Sequence, residues 1–222
     1  MFLQMRKLIP FIVVALTFGA GVLSAKDIRL ETSINLLQKR YSRIRDIHMN
    51  FVQSYAAPGR PPKAESGRVY LRRPGLMRWE YQEPRQKLFI SNGKTIHFYL
   101  PEERQVQKSR VKNTRDSRIP FQFLLGRRNL KKDFSKIVWA TEKPFFTGND
   151  VIIAYPKKNI DEFTEILMEY DPRDMQLQRL AIIEQGGARS EFVFTDIQEN
   201  SGLSIHLFEF QVPPHVEVVG AH

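Results

Sequence analysis

The sequence predicts a mainly β (α+β) chain: many antiparallel strands with a few helical pieces, fitting a curved sheet wrapped around a helical plug. Three observations carry this. Runs of alternating apolar and polar residues recur along most of the chain, the pattern of half-buried strands. Asn92-Gly93 stands between two β-rich runs, a strong short-range hairpin signal. A helical stripe (Leu30, Ile34, Leu37, Tyr41, Ile44) precedes the first strand at spacings of four and three, and so presents one apolar face.

The elements follow in order. From Asp27 the chain is helical, with Arg29, Glu31, Gln38, Lys39 and Arg40 on its polar face. Ile47 to Tyr55 alternates, placing Ile47, Met49 and Phe51 on one side and His48 and Asn50 on the other. Ala56 to Lys63 is a proline-rich loop, and Gly67 to Arg72 is the next strand. Tyr70 to Pro84 reads as a hairpin turning at Pro74-Gly75, with Met77, Trp79 and Tyr81 on its bulky face. Arg72 and Arg73 are adjacent, so on a strand they face opposite ways; the plain alternative is that both are ordinary solvated arginines. Lys87 to Ser91 and Lys94 to Leu100 flank the Asn-Gly turn, and Arg104 to Val111 is a further strand.

Pro120 opens a short apolar helix, Phe121, Phe123, Leu124 and Leu125, between basic flanks. On the residues alone it is either a buried helix on a closed core or a mobile lid. Asn129 to Phe134 forms another helical turn. Val151 to Tyr155, Phe163 to Tyr170, Gln176 to Glu184 and Glu191 to Ile197 are strands, and Phe208 to Val212 is expected as the last one, blunted by Pro213-Pro214.

The 222 residues suffice for one domain with a substantial core. Residues 1–25 read as a secretory signal peptide. Arg6 and Lys7 form the basic region, Leu8 to Phe18 the apolar one, and small residues precede cleavage after Ser24 or Ala25; an uncleaved anchor is the alternative. Residues 26–222 then form a single domain. The chain has no cysteine, which excludes disulfides, thiol catalysis, cysteine–zinc sites and a lipid-carrying cysteine behind the leader. Net charge is +10, and +8 without Arg6 and Lys7. For an exported chain this favours anionic membranes or acidic proteins over nucleic acid, and the basic segment Arg104 to Lys132 is the part expected to face them.

No catalytic chemistry emerges. The five histidines lack metal-ligand spacing, and no nucleophile elbow is present. Gly93-Lys94-Thr95 is not a phosphate loop, because Leu88 stands where that motif needs glycine. Metal, cofactor and enzymatic activity are therefore not expected.

The run RRPGLMRWEYQEP, followed by LFISNGKTIHFY, resembles the outer-membrane lipoprotein carrier family, LolA. Arg73, Pro74, Trp79, Pro84, Gly93, Lys94 and Tyr99 stand at matching places. The likeness extends to Phe51–Gln53, Ile119–Leu125 and Val212–Val218. The resemblance implies an unclosed antiparallel β-barrel, or strongly curved sheet, with a helical lid or plug over an apolar cavity. It implies a periplasmic, monomeric chaperone that takes triacylated lipoproteins from an inner-membrane ATP-driven transporter of the LolCDE type to an outer-membrane acceptor of the LolB type. The cavity residues would be Met49, Phe51, Met77, Trp79, Phe98, Phe121, Phe123 and Leu124. Arg73 would latch the lid by donating to carbonyls at the ends of the lid helices. Met77 stands where many members carry phenylalanine. The alternative is a carrier of other lipids, or a lipoprotein-binding sensor, on the same scaffold.

Overall fold

A computed structural model describes residues 24–111, 130–157 and 163–220. The predicted lid residues Phe121, Phe123 and Leu124 lie outside the described residues, as does nearly all of the predicted leader. The first element is helix α1, Ala25–Arg43. It starts two residues before the expected position because Ser24 caps it. The Ser24 hydroxyl accepts from the Asp27 amide, and the Asp27 carboxylate accepts from the Ser24 amide, a reciprocal capping box.

Twelve strands follow among the described residues, all in one sheet. In chain order they are β1 Asp46–Ala56, β2 Lys63–Arg72, β3 Leu76–Glu83, β4 Lys87–Ser91, β5 Thr95–Leu100 and β6 Gln105–Arg110. After these come β7 Phe134–Trp139, β8 Asp150–Pro156, β9 Phe163–Tyr170, β10 Leu177–Glu184, β11 Arg189–Glu199 and β12 Glu217–Gly220. The order across the sheet is β12-β6-β5-β4-β3-β2-β1-β11-β10-β9-β8-β7. β1 therefore sits in the middle, paired with β2 on one side and β11 on the other. The sheet does not close on itself, since β12 and β7 are its two edges. All neighbours are antiparallel except β12, which runs parallel to β6.

The chain departs from the sequence expectation in three places. Phe208 to Val212 is not a strand. Ile205–Phe208 is a 3₁₀ turn capped by the Ser204 hydroxyl, the following residues are irregular, and the final strand lies beyond Pro213-Pro214. The prolines do not end the sheet; they precede a crossing that brings β12 beside β6. The second departure is the helical piece at Asn129 to Phe134. It shrinks to α2, Leu130–Asp133, and Phe134 opens β7. The third is at the Asn-Gly hairpin, where Lys94 belongs to the turn. The Asn92 side chain accepts from the amides of Lys94 and Thr95, and Gly93 takes φ +82°.

The core lies between α1 and one face of the sheet. Ile34, Leu37 and Tyr41 of α1 join Met49, Phe51, Val69, Trp79, Phe89, Ile166, Leu180, Phe192 and Phe194 in one cluster. The alternation predicted for β1 and β3 holds, with Ile47, Met49, Phe51, Met77, Trp79 and Tyr81 all buried. Gly67 is required where β2 crosses β3. A Cβ there would stand 1.9 Å from the Glu80 carbonyl oxygen, and the register shifts at this point. Gly67→Ala is expected to lower unfolding free energy by about 3 kcal/mol, because backbone rather than a side chain must yield. Urea denaturation measures it.

Candidate functional site

The inner face of the sheet carries the predicted apolar wall. Met49 and Phe51 project from β1, Met77 and Trp79 from β3, and Phe98 from β5. The first four are almost wholly buried, and Phe98 is partly buried against the same cluster. The rings interlock: Phe51 meets Trp79 and Tyr81 edge-on at 5.0 Å between centroids, and Trp79 lies 5.3 Å from Phe192. Such edge-to-face pairs add to the burial of area alone. Sequence reasoning missed Phe192 and Phe194 of β11, although their alternation with Glu191, Val193 and Thr195 was visible. Tyr81, read on the bulky face but not among the cavity residues, joins the wall as well, its hydroxyl donating to Gln53 at 2.8 Å inside the core.

Helix α1 lies across this wall and is held at both ends by polar contacts. At its C-terminal end the exposed carbonyls need donors. Arg73 supplies them: Nε donates to the Ile44 carbonyl at 2.7 Å and Nη2 to the Tyr41 carbonyl at 2.6 Å. The topology explains the reach. Asp46 opens β1 after a two-residue link from the helix and pairs with Arg72, the last residue of β2, so Arg73, just past the strand, returns to the helix end. Arg72 turns the other way, donating to the Leu203 carbonyl of the C-terminal segment, as alternation requires. Arg40 adds bonds to Glu199 and to the Asp174 carbonyl. The buried Tyr41 hydroxyl accepts from the Leu177 amide at 2.8 Å. Burial raises its pKa, keeping it neutral.

At the other end Arg29 Nη2 donates to both carboxylate oxygens of Asp150, and the guanidinium lies 4.7 Å over the Trp139 ring. The Trp139 indole donates to the Lys26 carbonyl at 3.2 Å, and Glu31 pairs with Lys131. Tyr170 sits in the core beneath this end, its hydroxyl pushed up to about 12 by burial. Between the first half of α1 and α2–β7 lies a cleft of about 630 Å³ walled by Leu30, Ile34, Phe134 and Ile137, with Lys131 and Lys136 among its lining residues. Its apolar walls belong to, or pack on, the main core. No helix among the described residues is long and apolar enough to cross a membrane.

The arrangement is an open, curved sheet whose apolar face is covered by an amphipathic helix fastened at its edges. Comparison with known proteins places it. An uncharacterized conserved protein from Thermus thermophilus has a similar fold, with a TM-score of 0.54 at 12% identity, covering 86% of this chain and 99% of that one. The outer-membrane lipoprotein carrier protein of Pseudomonas aeruginosa is 28% identical over 221 residues, spanning 97% of this chain and 99% of the relative. That of Azotobacter vinelandii is 30% identical over 192 residues, 85% and 88% respectively. The model of the family "Outer membrane lipoprotein carrier protein LolA" matches residues 42–211, and the chain belongs to that family.

Proposed function

We propose that this chain is a periplasmic carrier that holds the acyl chains of lipoproteins against the inner face of its sheet while they cross from the inner to the outer membrane. The observation that carries the reading is the continuous apolar wall under a fastened amphipathic helix, in a chain that matches curated lipoprotein carriers over nearly its whole length. The leader, ending at Ser24 or Ala25, is removed on export, so the processed chain begins α1 without the Ser24 cap. The cargo's chemistry sets the demand. Each buried CH₂ contributes about 0.8 kcal/mol, so one long acyl chain holds its owner in a bilayer by on the order of 10 kcal/mol, and a carrier must offer comparable apolar surface. Met49, Phe51, Met77, Trp79 and Phe98 provide it; the family resemblance assigns Phe121, Phe123 and Leu124, outside the described residues, to the same role. Uptake from a bilayer needs an energy source outside this chain, an ATP-driven inner-membrane partner, and delivery needs an outer-membrane acceptor.

In the empty carrier the wall must be covered, and α1 covers it. Arg73 is the latch. Two hydrogen bonds from a guanidinium to helix-end carbonyls are strong enough to hold the helix and weak enough for acyl chains to displace it; a bond to a charged group contributes roughly 1.5–3 kcal/mol. Arg73→Leu is expected to keep the fold, as judged by an unchanged circular dichroism spectrum, while costing about 2 kcal/mol of stability and slowing release to the acceptor. Delivery at the wild-type rate would refute the latch.

The function itself is tested by adding the processed protein to spheroplasts. Lipoproteins are expected in the soluble fraction, complexed with the carrier. If none are released while free lipids still bind, the cargo is a different lipid.

A further inference from the structure

The loop 140–149 between β7 and β8 lies on the opposite side of the sheet from α1. At its root Ala140 and Ile153 pack on Val151, Leu167 and Ala181, residues that alternate along β8, β9 and β10 with those facing the main core. At its tip stand Phe145, 63% exposed, and Phe146, the two rings edge-on at 5.0 Å. An exposed phenylalanine is by itself ordinary. What is not ordinary is how this one is held. The carboxylate of Glu169, wholly buried, accepts from the Phe145 amide at 2.9 Å and the Phe146 amide at 2.7 Å. Asn149 and Arg179 complete the carboxylate's bonds.

We propose that the Phe145–Phe146 tip is a bilayer-docking element that seats the protein on an anionic membrane surface through the face opposite its acyl-chain wall. A peptide amide that enters the acyl boundary without a partner is costly. Here the amides of the two apolar tip residues are already satisfied from within the protein, so the side chains can enter lipid without naked N–H groups. The pinned loop also loses little conformational freedom on docking. The occupant is lipid rather than protein on grounds of size and charge. Specific protein interfaces bury on the order of 1,200–2,000 Å² with matched shape, which two rings on a narrow loop do not offer. A bilayer needs no matched shape, and aromatic side chains are favoured at its interface. Lys143 directly precedes the Pro144-Phe145-Phe146 tip, and the processed chain, without Arg6 and Lys7, carries a net charge of +8, complementary to anionic headgroups.

The test is flotation of the processed protein with vesicles of phosphatidylethanolamine and phosphatidylglycerol. Wild type is expected to float, and Phe145→Ser to lower partition about tenfold with unchanged thermal unfolding. Phe145→Trp is expected to add emission that brominated acyl chains quench. Absence of wild-type binding, equal binding by Phe145→Ser, or unquenched Phe145→Trp emission in the bound state would each overturn the proposal. Lipoprotein transfer is not part of the readout, so the carrier function stands or falls separately.

Discussion

Replacing Trp79 with alanine is expected to lower the unfolding free energy by about 3–5 kcal/mol, the range for emptying a large aromatic site in a packed core. Trp79 is wholly buried. Phe51 meets it edge-on, Phe192 tilts against it, and Val69 of β2 and Phe89 of β4 stand opposite it in the neighbouring strands. These partners come from four strands, β1, β2, β4 and β11. Central strands pair rigidly through the backbone, so they cannot close around the void as a single helix can. Urea unfolding of Trp79→Ala and Trp79→Phe gives the measurement, with the phenylalanine variant recovering part of the loss. A loss under about 1 kcal/mol for Trp79→Ala would mean that the wall collapses into the gap, and that the inner face is softer than its interlocked rings indicate.

Much of that wall was legible in the sequence because period-two alternation survives wherever a strand has one buried face. Met49 and Phe51 in β1, and Met77, Trp79 and Tyr81 in β3, follow the alternation directly, as the stripe from Leu30 to Ile44 does for α1. β7 was not legible. It is short, and the real helical turn Leu130–Asp133 directly before it draws Phe134 into a helical reading. β12 was hidden for a different reason. It gains its place by pairing parallel to β6, about a hundred residues earlier in the chain, a contact with no local signature. Phe208 and Phe210 looked like strand residues because they alternate with polar neighbours. Phe208 is instead buried on the end of a 3₁₀ turn, and the Phe210 ring lies 5.3 Å from His97 and 5.8 Å from Tyr99. The Arg73 contact was legible only through family resemblance. Nothing in the local pattern tells an arginine that caps a helix from one that meets solvent.

Arg179→Met is expected to destabilise the fold by about 3–5 kcal/mol, because it strands a buried carboxylate without its countercharge. Glu169 is completely inaccessible and Arg179 nearly so, joined at 2.7 Å. Composition gives no hint of this pair. Glu169 and Arg179 lie on the face of β9 and β10 opposite the main core, where the loop 140–149 bonds over them. Arg179 also binds Glu142 and Glu191, which Arg189 binds in turn. Burial pushes the Glu142 carboxyl up, but hydrogen bonds from Arg189 and Arg179 outweigh this and hold it below its ordinary value of 4.5. A depressed carboxyl stabilises the fold above its unfolded pKa, and that contribution is lost as pH falls through the folded value. Acid therefore weakens the loop's anchor, and Glu142→Gln is expected to flatten the fall in stability below pH 4.5. The double variant Glu169→Gln, Arg179→Met separates charge from packing. Removing both charges while keeping an acceptor for the Phe145 and Phe146 amides is expected to restore most of what Arg179→Met loses, since the dominant cost is the unpaired buried charge. If the double variant is no more stable than Arg179→Met in urea, the guanidinium's bonds to Glu142 and Glu191 carry the energy, and the loop is held by its partly exposed rim rather than by its buried centre.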